Sequence, residues 1–219
     1  MSNRTVGVIG LGAMGLGVAR SLLRAGFNTY ACDVRPEVLQ QFESEGGVPC
    51  ASPAALGAAC EVVVIVVVNA DQTEAVLFGD KGAASTLRAG SVVLASATVL
   101  PAFAERLGER LAERGILLID APLSGGAAKA AEGAMTMMTS GSAEAFARSE
   151  DVLAAIAGKV YRLGDRPGQG SCWDCGKALI PTRSMRSLSI VLATHGCLRI
   201  ACRTSSQTIT RRFLPWTSL

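Results

Sequence analysis

Residues 10–15 read G-L-G-A-M-G directly after an apolar run, T-V-G-V-I, and an acid, Asp33, follows 18 residues after Gly15. Glycines at this spacing between a strand and a helix form a cradle for the pyrophosphate of a dinucleotide, and an acid about 20 residues on is placed for the ribose. Gly10 permits the tight turn, Gly12 leaves no Cβ between backbone and phosphate, and Gly15 lets the helix pack close to the strand. Leu11, Ala13 and Met14 complete the loop, whose free N–H groups and helix dipole attract an anion without a basic side chain. The Asp33 carboxylate can accept both ribose hydroxyls and repels a 2′-phosphate, which favours NAD over NADP. Arg35 argues the other way, because a nearby guanidinium accommodates that phosphate.

A second chemistry-bearing segment is D-A-P-L-S-G-G at 120–126. Pro122 ends a strand, Gly125 and Gly126 expose N–H groups at the head of the next helix, and the Ser124 hydroxyl adds a donor. This set reads equally as a carboxylate cradle or as a plain turn. Other reactive side chains crowd the last quarter: Cys172, Cys175, Cys197, Cys202 and the single histidine, His195. They could supply four zinc ligands, but the Cys197-x4-Cys202 spacing is too loose for a zinc knuckle. Cys172 and Cys175 lack the thioredoxin-like helix of a redox pair. No metal is expected.

These residues must be held by a scaffold, and from residue 5 to about 164 apolar strand-like runs alternate with amphipathic helical stretches. That alternation predicts an α/β fold with a doubly wound, mostly parallel sheet, a Rossmann fold. Strands are expected at 5–10, 28–33, 62–68, 91–96, 116–120, 135–139 and 159–163. Helices are expected at 13–25, with Met14, Val18, Leu22 and Ala25 on one face and Gly26 as its stop, and at 70–78. Two more are expected at 101–114, with Pro101 at its first position, and at 142–157, between a Ser142 cap and a Gly158 stop. Ligands of such sheets bind beyond the carboxyl ends of the strands, where residues 10–15, Asn69, Thr98 and 120–126 fall.

The net charge of +3 averages two unlike parts. Residues 1–171 hold 14 Lys/Arg against 17 Asp/Glu, whereas residues 172–219 hold 7 against 1, with both tryptophans and four of the seven cysteines. This break places a boundary near Ser171. The seven apolar residues 62–68 are too few to cross a bilayer and suit a buried strand, and the N-terminal glycine spacing is unlike a signal peptide. No membrane association is expected, and the default location is cytoplasmic. The basic tail carries no nucleic-acid-binding module signature, so no nucleic-acid partner is expected.

Taken in order, the motifs resemble the β-hydroxyacid dehydrogenase family, and within it the L-threonate and 3-hydroxyisobutyrate dehydrogenase group. They are G-L-G-A-M-G (10–15), Asn69 with D-Q-T-E-A-V-L-F-G (71–79), S-A-T-V (96–99) and D-A-P-L-S-G-G (120–126). A-x-x-G-x-x-T-x-M-x-S-G (130–141) and G-K-V-Y-R-L-G (158–164) follow. The resemblance covers residues 5–171. It implies NAD as cofactor and a small 3-hydroxy acid as substrate. It further implies that Gly10 to Gly15, Asp33, Asn69 and Thr98 contact the nucleotide, and that Ser124, Gly125 and Gly126 hold the substrate carboxylate. In the family, hydride passes from the carbinol carbon to the nicotinamide while a lysine takes the hydroxyl proton, a task suited to an amine whose pKa is depressed by desolvation.

That family lysine lies in G-x-G-S-x-x-K, at the start of a long helix that leads into an all-helical second domain, the source of most of the subunit interface. Here the motif begins as Gly168, Gln169, Gly170, Ser171 and continues Cys172, Trp173, Asp174, so that Asp174 stands at the lysine position. Lys177, one helical turn later on the same face, is a weak substitute. The expectation is therefore an NAD-binding Rossmann domain over 1–165 and an aberrant tail over 166–219. The tail reads as frameshifted or truncated sequence in place of the connecting helix and helical domain, without the family's homo-oligomer interface and without turnover.

Overall fold

The structure is a computed structural model and describes residues 4–170 together with the backbone of 191–194 and 197–200. The chain divides into two compact units, Met1–Ala178 and Leu179–Leu219. The first unit opens with β1 (Thr5–Ile9), α1 (Gly15–Arg24), β2 (Asn28–Cys32), α2 (Pro36–Ser44), β3 (Val48–Pro49) and α3 (Pro53–Ala59). It continues through β4 (Val62–Ile65), α4 (Ala70–Phe78), β5 (Val92–Ala95), α5 (Pro101–Ala112), β6 (Leu117–Asp120) and β7 (Leu123–Ser124). It closes with α6 (Gly126–Glu132), β8 (Met135–Gly141), α7 (Ala143–Ile156) and β9 (Ala157–Gly164). Six parallel strands stand in the order β3-β2-β1-β4-β5-β6. This is the doubly wound arrangement expected from the sequence, with its reversal of strand order between β1 and β4. β8 extends the sheet, antiparallel to β6 and β7 and parallel to β9. In the second unit, β10 (Val191–Thr194) and β11 (Cys197–Ile200) pair antiparallel.

The central strands are apolar on both faces because each face is covered by helices. Val62 and Val64 of β4, with Val92 and Leu94 of β5, belong to the core beneath α1 and α7, where Val18, Leu22, Phe146 and Val152 are buried. Val63 and Ile65, with Val93 and Ala95, face the opposite core with Leu56, Leu77 and Leu107. Caps and prolines set the helix starts. The Ser52, Asn69 and Ser142 side chains accept N–H bonds from Ala55, Gln72 and Ala145, and Pro36, Pro53 and Pro101 occupy first turns. Each such cap stabilises its helix by about 1 kcal/mol.

Several boundaries differ from the sequence reading. The apolar run 62–68 is a strand only to Ile65, and Val68 is 81% exposed. The chain leaves the sheet there because no neighbouring strand extends as far. The first helix begins at Gly15 rather than residue 13, since residues 10–14 form the loop, and Ala25 is exposed as its C-cap. α5 stops at Ala112. Gly158 is not a helix stop: α7 passes at Ala157 straight into β9, and the register shift from Met135↔Ala157 to Thr136↔Lys159 makes Gly158 the extra residue of a bulge. The short elements α2, β3, α3, β7 and α6 carry too few periodic residues to be read from pattern.

Candidate functional site

The loop after β1 is closed against itself and open on one side. Gly10 has φ +92°, donates its N–H to the Cys32 carbonyl at 2.9 Å, and lies so close to the Val66 carbonyl that a Cβ would sit 2.4 Å from that oxygen. A Cβ on Gly15 would stand 1.8 Å from the Gly10 carbonyl oxygen, so the loop folds this way only with glycine there. At Gly12 a Cβ would meet nothing within 4 Å. The room left at Gly12 faces an open groove of about 300 Å³ bordered by Gly12, Ala13, Arg20, Arg35, Val38 and Ala127. Leu11 is buried in the core, Met14 packs partly against it, and Ala13 is exposed. A glycine loop whose outer position is bare, at the head of a helix, fits a dinucleotide pyrophosphate.

Asp33 directly follows β2 with its side chain 6% exposed. Its Oδ2 accepts the Leu11 N–H at 2.6 Å, and its Oδ1 accepts the Arg35 backbone N–H and Nε, both at 2.9 Å. The Arg35 guanidinium also donates to the Leu11 carbonyl at 2.9 Å. Asp33 thus ties the glycine loop to the end of β2, and Arg35 lies over it as a salt-bridge partner instead of pointing free. Burial pushes the Asp33 carboxyl up, but hydrogen bonds from Arg35 and Leu11 and the guanidinium charge outweigh it and hold the group below its ordinary range. The neighbouring Cys32 thiol is pushed up to about 11 by burial first, then by Cys50 and Asp33.

Asn69 is the N-cap of α4 and commits its side-chain oxygen to the Gln72 N–H at 2.9 Å. Thr98 is exposed just beyond β5. Two residues before it, the Ser96 hydroxyl is buried without a hydrogen-bond partner among the described residues. Such a group at the carboxyl end of a central strand is one that a bound molecule can satisfy. Ser124 in β7 and the adjoining Gly125 and Gly126 are exposed, and both glycines have positive φ, 142° and 74°. Their helix α6 packs on α1 at backbone contact: a Cβ on Gly17 would lie 2.7 Å from the Ala131 nitrogen, and the Ser21 hydroxyl donates to the Ala130 carbonyl at 2.9 Å. The first turns of α1 thus meet the last turn of α6, and Ala127, one residue past the S-G-G segment, borders the same groove as Gly12 and Ala13.

The sequence reading missed three exposed aliphatics at this end of the sheet: Val34 (96%), Val68 (81%) and Leu100 (78%), which follow β2, β4 and β5. An apolar residue past the end of a strand looks like one more strand residue, so only the strand ends could have revealed them. Asp174, Lys177, Cys172, Cys175, His195 and Cys202, and the side chain of Cys197, lie outside the described residues. Among the described residues no group of His, Cys, Asp or Glu could hold a metal ion, and no helix is long and apolar enough to cross a membrane.

This fold and glycine loop define a dinucleotide-binding domain, and residues 5–164 match the NAD binding domain of 6-phosphogluconate dehydrogenase. The chain belongs to that family, and its cofactor class is NAD. It is 70% identical over 169 residues to an L-threonate dehydrogenase of Cupriavidus necator, covering 77% of this chain and 57% of that protein. It is 44% identical over 171 residues to an L-threonate dehydrogenase of Pectobacterium atrosepticum, covering 78% and 56%. The crystal structure of 3-hydroxyisobutyrate dehydrogenase from Salmonella typhimurium superposes with a TM-score of 0.75 at 44% identity, over 77% of this chain and 59% of that one. The chain thus spans a little over half the length of these relatives.

Proposed function

We propose that residues 1–165 are the cofactor-binding half of an NAD-dependent oxidoreductase acting on the hydroxyl of a small 3-hydroxy acid such as L-threonate or 3-hydroxyisobutyrate. The observation that carries this reading is the glycine loop, closed at Gly10 and Gly15 and bare at Gly12, beside the S-G-G helix head. The similarity to named L-threonate dehydrogenases supports the substrate class. In this reading Gly10, Leu11, Gly12, Ala13, Met14 and Gly15 hold the pyrophosphate, Asp33 the adenosine ribose, and Asn69 and Thr98 the remaining nucleotide. Val34, Val68 and Leu100 give the flat parts of the cofactor an apolar surface. Ser124, Gly125 and Gly126 hold the substrate carboxylate. The bound nicotinamide supplies the hydride acceptor.

A proton must also leave the substrate hydroxyl, and the family lysine that takes it is replaced here by Asp174. A carboxylate at that position has a poorly matched pKa and repels an acid substrate. We therefore infer that residues 166–219 do not replace the catalytic segment, and that the 219-residue chain binds NAD without turnover, Lys177 notwithstanding. Titration calorimetry with NAD, followed by an NADH absorbance assay with L-threonate and with 3-hydroxyisobutyrate, tests both halves. The expected outcome is NAD binding with no measurable NADH formation, want of the base alone costing roughly 10²- to 10⁴-fold. No NAD binding refutes the reading, and robust turnover abolished by Lys177→Ala refutes the inactivity.

A further inference from the structure

Asp120 is 1% exposed at the end of β6, and Ser140, its register partner on β8, is buried beside it. A carboxylate so far from water is retained where its oxygens are hydrogen-bonded. Its Oδ2 accepts the Gly168 N–H at 3.1 Å and faces the Ser140 hydroxyl at 3.5 Å, while the Ser140 Oγ accepts the Gly170 N–H at 2.7 Å. Both glycine N–H groups of the G-Q-G turn thus end on one buried pair, 48 and 30 residues away in sequence.

The turn is also moulded to its surroundings. Gly168 has φ +94°, and a Cβ there would lie 2.9 Å from the Pro101 carbonyl oxygen. A Cβ on Gly170 would lie 2.9 Å from the Met138 carbonyl oxygen and 3.2 Å from Asp120 Oδ2. Gln169 folds back so that its Oε1 accepts the Arg166 N–H at 3.1 Å. None of these bonds involves the glycine loop, Asp33 or the S-G-G donors.

We propose that Asp120 is a positioning residue which, with Ser140, latches residues 168–170 to the carboxyl end of β6. The functional half of this inference rests on the reading of Ser124 to Gly126 as the carboxylate site. Asp120 begins the same seven-residue segment that ends in Gly126, so one backbone stretch carries the substrate loop while its first side chain holds the turn that, in the family, precedes the proton-transfer lysine. A substrate bound at 124–126 is then registered against the 168–170 turn through Asp120 and Ser140.

The test is amide exchange and chemical shift by NMR on the full chain, for wild type, Asp120→Ala, Asp120→Asn and Ser140→Ala. Asp120→Ala is expected to speed exchange at Gly168 by roughly tenfold or more, the factor set by one hydrogen bond to a carboxylate. Asp120→Asn restores protection because its amide oxygen still accepts, and Ser140→Ala exposes Gly170 in preference to Gly168. NAD affinity stays within about twofold in all three, since one pair lies off the nucleotide loop. L-threonate is expected to shift the Gly125, Gly126 and Gly168 amides in wild type, and the first two alone in Asp120→Ala. Where Asp120→Ala does not fold, the serine and asparagine variants decide. Unchanged Gly168 exchange in folded Asp120→Ala overturns the latch, as does equal deprotection of the sheet amides by Ser140→Ala. Silence of Gly125 and Gly126 toward L-threonate in wild type refutes the carboxylate site and the functional half, whereas the exchange data judge the latch independently.

Discussion

Replacing Asp33 by alanine is expected to weaken NAD and strengthen NADP together, and the structure sets the size of both effects. Each ribose hydroxyl donating to the carboxylate is worth about 1 kcal/mol, below the roughly 1.5–3 kcal/mol of an uncommitted charged acceptor, because Arg35 already uses part of it. Losing two such bonds costs about 2 kcal/mol, roughly a 30-fold weaker NAD complex. A 2′-phosphate about 4 Å from the carboxylate is repelled by about 1–2 kcal/mol at water-like screening, so removing the carboxylate gains NADP roughly tenfold. The variant also leaves the buried Leu11 N–H without its acceptor, a stability loss of about 1–3 kcal/mol. Asp33→Asn separates the two effects, because its amide oxygen can still accept from Leu11 while the charge is gone. Titration calorimetry with each cofactor, on protein checked by thermal unfolding, reads both affinities. A wild-type preference for NADP refutes the ribose role given to Asp33, and so does an unchanged NAD to NADP ratio in folded Asp33→Ala.

The glycine loop gives a sharper contrast between neighbours. Gly15→Ala drives a Cβ into the Gly10 carbonyl and is expected to lower the thermal midpoint markedly, whereas Gly12→Ala has open space and is expected to keep stability while losing NAD affinity; equal midpoints for the two would contradict the loop geometry. The Asp33 carboxyl sits below its ordinary range in the folded protein, so its contribution to stability is complete above the unfolded value of about 4 and is lost as pH falls through the folded one. Denaturant unfolding is therefore expected to show a deficit for Asp33→Asn at pH 7 that shrinks at about pH 3, and a constant deficit would show that charge at Asp33 is not what stabilises.

Much of this was legible because the informative residues act locally or periodically. β4 and β5 announce themselves as strands buried on both faces, Ser142 as a cap, and residues 10–15 as a loop that only glycine can close, whereas the capping role of Asn69 emerged only in the structure. The places where pattern misled share one cause. Val68 and Ile65 are chemically alike, and what separates them is whether another strand lies alongside, a tertiary fact. Gly158 is the residue type of a helix stop, yet it serves as a bulge because β8 is already in place to pair with β9. The Asp120 and Ser140 pair was invisible for the same reason: its partners Gly168 and Gly170 are brought to it only after β8, α7 and β9 have been laid down.

The motifs of this chain also depend on one another through a contact that no motif contains. The dinucleotide loop heads α1 and the S-G-G segment heads α6. The two helices meet where Gly17 admits the Ala130 and Ala131 backbone to within 2.7–2.8 Å of where its Cβ would be. Ser21 bonds the Ala130 carbonyl from the next turn. Any side chain at Gly17 must push α6 outward, and because interiors are close-packed the displacement cannot be absorbed within α1. It would be carried to Gly126, the first residue of α6. In the proposed reading, the spacing between a pyrophosphate at the first loop and a carboxylate at the second is thus set by Gly17, which belongs to neither loop. An error of about 1 Å in placing two bound reactants can cost about 10²-fold in rate, so under the proposed reading this helix seam sets the geometry in which the two loops present their ligands.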